Sequence, residues 1–182
     1  MLLRLHVAGS GEIVIDFRSH AYGWNSSLDV FPNDPEYVHV ETEVIAADAP
    51  SPFDSAARDL DSLLWKVGFH SFDAAPASWL PSGERSRLIR WPNLTEFSIS
   101  LDQVRMTAML GNAFATAGEL AAAAGTSPAD AQRLVNAYSL MGILTHAPIE
   151  VAPAPVVAEP ATDADPAPTR GLLQRLRARL GL

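Results

Sequence analysis

The stretch that most constrains this chain runs from Thr116 to Thr145, where helix starts and stops follow one another with almost no connecting residues. Thr116-Ala-Gly-Glu119 spells a capping box: the hydroxyl accepts from a backbone N–H, and the carboxylate reaches back to the cap. The helix it starts ends at Gly125, the residue that takes a left-handed cap at least cost. The next helix begins at Ser127, with Pro128 in the first turn and Asp130 three residues after the cap. Both suit the orphan N–H groups and the positive end of a helix. Its apolar stripe is Ala131, Leu134, Val135, Tyr138 and Met141. Gly142 stops it, and Ile143-Leu144-Thr145 turns back as a short strand. Upstream, Leu101 to about Gly111 reads as a further helix with Leu101, Val104 and Ala108 on one side. Arg87–Trp91 reads as a short strand.

The front of the chain has the other periodicity. Leu3, Leu5 and Val7 alternate with Arg4 and His6, and Ile13, Ile15 and Phe17 alternate with Glu12, Val14 and Asp16. Ala8-Gly-Ser-Gly11 between them predicts a hairpin. A third strand spans Tyr37–Ile45, with Val38, Val40, Thr42 and Val44 on one face and His39, Glu41 and Glu43 on the other. The stretch Tyr22–Pro35, with Gly23, Pro32, Asn33 and Pro35, predicts loop. A helix over Ser55–Phe69 follows, capped by Asp54 or Ser55 and ended by Gly68. Its stripe of Ala56, Leu60, Leu63, Leu64 and Val67 covers one face of an antiparallel sheet. Trp65 is expected in the core or its seam, and Trp79 and Trp91 in an irregular aromatic connection; a small-ligand sensor in the seam of Trp65, Trp79 and Trp91 is the third functional reading.

Charge is uneven. Residues 1–84 hold 4 basic and 13 acidic side chains, residues 85–147 hold 5 and 4, and residues 148–182 hold 4 of each. An acidic front half repels nucleic acid and anionic membranes. The absence of cysteine excludes disulfides and thiolate metal sites. No apolar run reaches the roughly 18 residues of a membrane span, and the N-terminus does not read as a signal peptide, so a cytoplasmic protein is expected.

Residues 148–169 are Ala/Pro/Val-rich and predict a disordered linker. Residues 170–182 change character, with four arginines, no acid, and leucines at helical spacing. They predict a basic amphipathic helix whose Leu172, Leu173, Arg175, Leu176, Arg177, Arg179 and Leu180 dock on a protein partner or make a weak peripheral membrane contact.

Helix, capped short helix, glycine, capped longer helix and Gly-Ile-Leu, in that order, resemble the winged helix-turn-helix superfamily. Glu119–Gly125, Ser127–Asp130 and Leu134–Leu144 carry the resemblance, with small Ala121 four residues before Gly125 at the helix crossing. It covers residues 85–147; no family is recognised for residues 1–84. A DNA-reading member would lay its third helix in the major groove, and Gln132, Arg133 and Asn136 would then face DNA. One arginine on that helix neutralises too few phosphates, so nucleic acid is disfavoured and DNA-binding transcriptional regulation ranks second.

Chemistry is thin. The five histidines include no i, i+4 pair. Strand pairing brings His6, Asp16 and His39 onto one sheet face, where solvated polar residues account for them without a metal. Neither a phosphate-cradling loop nor a Gly-x-Ser-x-Gly elbow occurs. Glu41 and Glu43 lie on a polar strand face with no desolvated pocket to separate their pKa values. No catalytic residue, metal or cofactor is expected. The fold class is therefore α+β: an antiparallel β module with a covering helix over 1–84, a winged-helix-like three-helix module over 85–147, a linker over 148–169, and a short amphipathic helix over 170–182. The expected function is a non-catalytic, bacterial-style signalling adaptor that works through protein contacts.

Overall fold

A computed structural model describes residues 1–149 except Asp54, Ser55, Asp73 and Ser98; the expected linker beyond Ile149 and the expected helix 170–182 lie outside the described residues. The chain is α+β. Strands β1 (Leu2–Val7), β2 (Gly11–Asp16), β3 (Ala21–Gly23), β4 (Val38–Glu43) and β5 (Arg58–Asp59) form one antiparallel sheet in the order β4-β1-β2-β3-β5. Helix α1 (Leu60–His70) follows, then β6 (Glu84–Leu88), α2 (Leu101–Asn112), α3 (Ala117–Ala124), α4 (Pro128–Leu140) and β7 (Leu144–Pro148). Strands β6 and β7 pair antiparallel, and Ser86 also bridges Ala115 between α2 and α3. The sheet partner of the strand after α4 thus comes from before α2. Pro148, expected to open the linker, pairs with Glu84, and the Ile149 N–H donates to Gly83 O.

The hairpin β1–β2 forms as its alternation predicts, with Gly9 and Gly11 both at positive φ in the turn. Leu5, Val7, Ile13, Ile15 and Tyr22 face Leu60 and Leu63 of α1 in one buried cluster with Trp24 and Phe31. Two short strands depart from expectation. Ala21–Gly23, expected as loop from Tyr22 onward, pairs with β2 because it carries buried Tyr22 and fills the free edge of Val14–Asp16. Arg58–Asp59 then pairs with β3, so the helix starts at Leu60 and not at Ser55. Asp59 caps it, accepting from the Asp61 N–H, and Ala56 stays exposed outside the stripe. Asp54 and Ser55, the expected caps, lie outside the described residues.

Gly68 does not end α1. It lies where α1 crosses α4: a Cβ built there would sit 2.5 Å from the Ala137 Cα. The second core lies on this side of α1. Trp65 is buried, as expected, stacked with Phe97 at 5.0 Å and Phe69 at 5.2 Å and tilted against Tyr138. Around it pack Met106 and Leu110 of α2, Leu120 and Ala124 of α3, and Ala131, Leu134, Val135 and Met141 from the α4 region. Leu64 packs against both clusters, so α1 belongs to both and Met1–Ile149 forms one compact unit.

The start and stop signals of α3 and α4 act at the expected residues. The Thr116–Glu119 capping box is complete, Gly125 takes the left-handed cap at φ 73°, and Ser127 caps α4 with Pro128 in its first turn. Gly142, at φ 67°, lets the chain leave α4 toward β7. The β6 strand spans Glu84–Leu88 and not Arg87–Trp91: the Ile89 N–H makes a last bond, to Ile143 O, and Trp91 turns back onto α2. No helix among the described residues is long and apolar enough to cross a membrane.

Candidate functional site

The α2 helix is apolar on two sides, and only one is used. Met106, Thr107 and Leu110 turn inward. The Thr107 hydroxyl donates to Gln103 O and also meets the buried Tyr138 hydroxyl, so a hydrogen-bonded pair substitutes for apolar packing there. Leu101, Val104 and Ala108 do share a side, but it faces outward; Leu101 is 64% exposed. Gly111 continues that stripe, and Trp91 lies across it with Cζ2 3.0 Å from the position a Cβ would take. Trp91 itself is 55% exposed, and Ile89, two residues away, is also exposed. Asp102 and Arg105 flank the stripe as an i, i+3 ion pair. An exposed tryptophan beside aliphatic side chains, rimmed by charge, is the composition of a protein-binding hot spot.

The residues expected to face DNA do not act together. Asn136 is fully buried: its amide donates to Ala75 O, and its Oδ1 accepts from the Ala77 N–H. Asn136 as a base reader is therefore corrected; it anchors the loop before β6. Gln132 donates to Asn136 Oδ1, and Arg133 is paired with Asp130. The expected aromatic seam is also divided. Trp65 is core, Trp79 donates its indole N–H to Ser139 Oγ at 2.8 Å, and Trp91 lies on α2. Leu172, Leu173, Arg175, Leu176, Arg177, Arg179 and Leu180 lie outside the described residues.

Two further polar clusters were hidden in the sequence. Asp61, nearly buried in the first turn of α1, accepts from Arg90 Nη2 at 2.9 and 3.2 Å and meets His20 Nε2 at 2.8 Å. His20 holds a left-handed φ of 50°, strained for a residue with a side chain, and its carbonyl accepts the Leu60 N–H. His20, Asp59 and Asp61 bring ligand-type atoms together. However, the Arg90 guanidinium already spans both Asp61 oxygens, and Asp59 is engaged in capping α1. This cluster ties the β2–β3 turn, α1 and the end of β6. Separately, an open groove of about 420 Å³ runs between Leu80, Thr116, Gln132 and His146. On its wall, cross-strand neighbours Ser86 and His146 meet at 3.2 Å between Oγ and Nδ1.

Glu119 borders the same region and joins two elements. Arg85 from β6 pairs with it, and the Thr116 cap donates to it at 2.8 Å. Those donors, Arg85 foremost, hold its carboxyl down at about 2.

Comparison of the chain with known protein families, characterised proteins and solved structures gives no match.

Proposed function

We propose that this protein is a non-catalytic regulatory adaptor that acts in the cytoplasm through protein–protein contacts, on a scaffold of the winged-helix kind built by α2, α3, α4 and the β6–β7 pair. The observation that carries the reading is the uncovered Leu101–Val104–Ala108 stripe and the Trp91 ring lying beyond it. Burying half a tryptophan and a leucine contributes about 2 kcal/mol or more to docking, because such aromatics dominate interface energetics. The basic segment 170–182, with Leu172, Leu173, Leu176 and Leu180, belongs to the proposal as a second contact on the same class of partner. A DNA-binding role ranks lower: Arg133 is already ion-paired, and Asn136 is not available to a base.

Affinity capture with the full chain at physiological salt tests this. The reading expects a protein bound in stoichiometric amount, and lost from a Trp91→Ala, Leu101→Ser double variant whose circular dichroism is unchanged. A chain ending at Thr169 should bind the same protein more weakly. Equal binding by wild type and double variant, or recovery of nucleic acid alone, would overturn it.

A further inference from the structure

The five-stranded sheet ends in an uncovered edge. Its terminal strands are β4 and β5. The β5 strand has two residues and offers little to pair with, whereas β4 has six, five of them exposed. Proteins usually blunt such an edge with proline, lysine or a bulge. Residues 38–45 hold neither proline nor lysine, and Val38–Glu43 pair with β1 residue for residue, without a bulge. The apolar face runs out to this edge. Ile13, Leu5 and Val40 form one row across β2, β1 and β4, and they are 0%, 8% and 52% exposed. Among the described residues, no strand pairs with the outer side of β4.

Backbone groups on an antiparallel strand point alternately to its two sides. The Ala8 N–H donates to Tyr37 O at 3.0 Å, in line with the register that sets Val7 opposite Val38. His39, Glu41 and Glu43 therefore turn their N–H and C=O toward β1, and Val38, Val40 and Thr42 turn theirs outward. Side chains alternate with them: Val38, Val40 and Thr42 share the apolar face with Val7, Leu5 and Leu3, while His39, Glu41 and Glu43 share the polar one. A twofold axis lays this edge antiparallel on its own copy, and the outward groups can bond when the axis passes through a residue. Charge then chooses the residue. With the axis at Val40, His39 lies opposite Glu41 of the second copy on both sides of the axis, Val38 lies opposite Thr42, and no acid faces an acid. Moved to Glu41, the axis sets that carboxylate against itself; moved to His39, it leaves no opposite charges facing. Glu41 has room to accept. In its own chain it lies 3.5 Å from both His6 Nε2 and His39 Nε2, beyond the usual N–H···O length.

We infer that two copies of this protein pair antiparallel through β4, with the twofold axis at Val40, so that two five-stranded sheets become one. Val38, Val40 and Thr42 exchange both backbone bonds with Thr42, Val40 and Val38 of the second copy, and each Val40 side chain is covered by its counterpart. One strand edge buries less than a standard interface, so the association belongs in the micromolar-to-millimolar range of transient contacts. The edge shares no residue with the α2 face around Trp91, and the pairing does not depend on docking there.

Sedimentation equilibrium of the full chain from micromolar to millimolar concentration tests the pairing. The mass should rise to that of two chains and stop there. Val40→Lys, at a half-exposed position, sets two ammonium groups against each other at the axis; it should stay monomeric where wild type dimerises, with its thermal denaturation unchanged. The Trp91→Ala, Leu101→Ser variant should dimerise as wild type does. Register is read by oxidation, because the chain has no cysteine of its own. A mixture of His39→Cys and Glu41→Cys chains should cross-link in good yield, since the pairing sets those two positions opposite each other, and either variant alone should cross-link far less. A wild-type chain that stays monomeric, dimerisation retained in Val40→Lys or lost in the Trp91 variant, or self-cross-linking equal to that of the mixture, would each overturn the inference.

Discussion

Helices α1 and α4 cross closely at Gly68, and a single methyl group tests the crossing. Carbon atoms in contact rest at about 3.5–4.0 Å. An alanine Cβ at Gly68 would lie 2.5 Å from the Ala137 Cα and 3.0 Å from its nitrogen. The obstruction is helix backbone, which has no rotamer to change, so α1 and α4 must separate by about 1 Å. A gap of that size forfeits a quarter to a half of each dispersion contact along the seam, where Trp65 packs on Tyr138. Overpacking costs about 3 kcal/mol at the upper end of its usual range, and the better helix propensity of alanine returns about 1. The expected net loss is about 2 kcal/mol, or about 4–8 °C in Tm for a unit of this size.

Two other helical glycines serve as controls on the same substitution. At Gly118 the nearest atom is Thr116 Oγ1, at 3.9 Å, so Gly118→Ala should stabilise by about 0.5 kcal/mol. At Gly111 the obstruction is the far edge of the exposed Trp91 ring, which can swing aside, so Gly111→Ala should be near neutral. Urea denaturation of the three variants gives the order directly. If Gly68→Ala proves as stable as Gly118→Ala, the α1–α4 crossing is looser than described and the reasoning fails.

One paired group and one buried group make stability depend on pH. Arg85, with the Thr116 cap, holds the Glu119 carboxyl at about 2, below its ordinary 4.5. The stabilisation is present above pH 4.5 and is lost as pH falls through about 2, so Glu119→Gln should flatten the acid limb of the stability profile in that window, read by thermal denaturation. Burial pushes the Tyr138 phenol up to about 12 from its ordinary 10.0, against the smaller opposing effect of the Thr107 hydroxyl. A raised value in the fold stabilises fully below pH 10 and loses that contribution as pH rises through about 12. Tyr138→Phe should therefore remove the alkaline loss, at a cost near neutral pH of about 1 kcal/mol for the missing hydrogen bond.

What the sequence disclosed and what it hid divide along the range of the interactions. Thr116, Glu119, Gly125, Ser127 and Gly142 act on backbone groups within four residues, so their spacing alone placed the ends of α3 and α4. The strands Ala21–Gly23 and Arg58–Asp59 were not legible, because they are too short to alternate and exist only through partners far along the chain. Gly68 carries the signature of a helix end, yet its lack of a side chain serves a neighbour 69 residues away.

The candidate docking face was half-visible for a related reason. Periodicity shows that α2 has an apolar stripe at Leu101, Val104 and Ala108, but it cannot choose between that stripe and Met106, Thr107 and Leu110 as the side facing the core. The choice is made by Tyr138, whose hydroxyl needs a buried partner once its ring is packed against Trp65. Thr107 supplies that partner, which turns the Met106–Thr107–Leu110 side of α2 inward and leaves Leu101, Val104 and Ala108 on the other side. The helix thus keeps Met106, Thr107 and Leu110 in the core and leaves Leu101 and Val104 uncovered, and that uncovered pair is the observation on which the adaptor proposal rests.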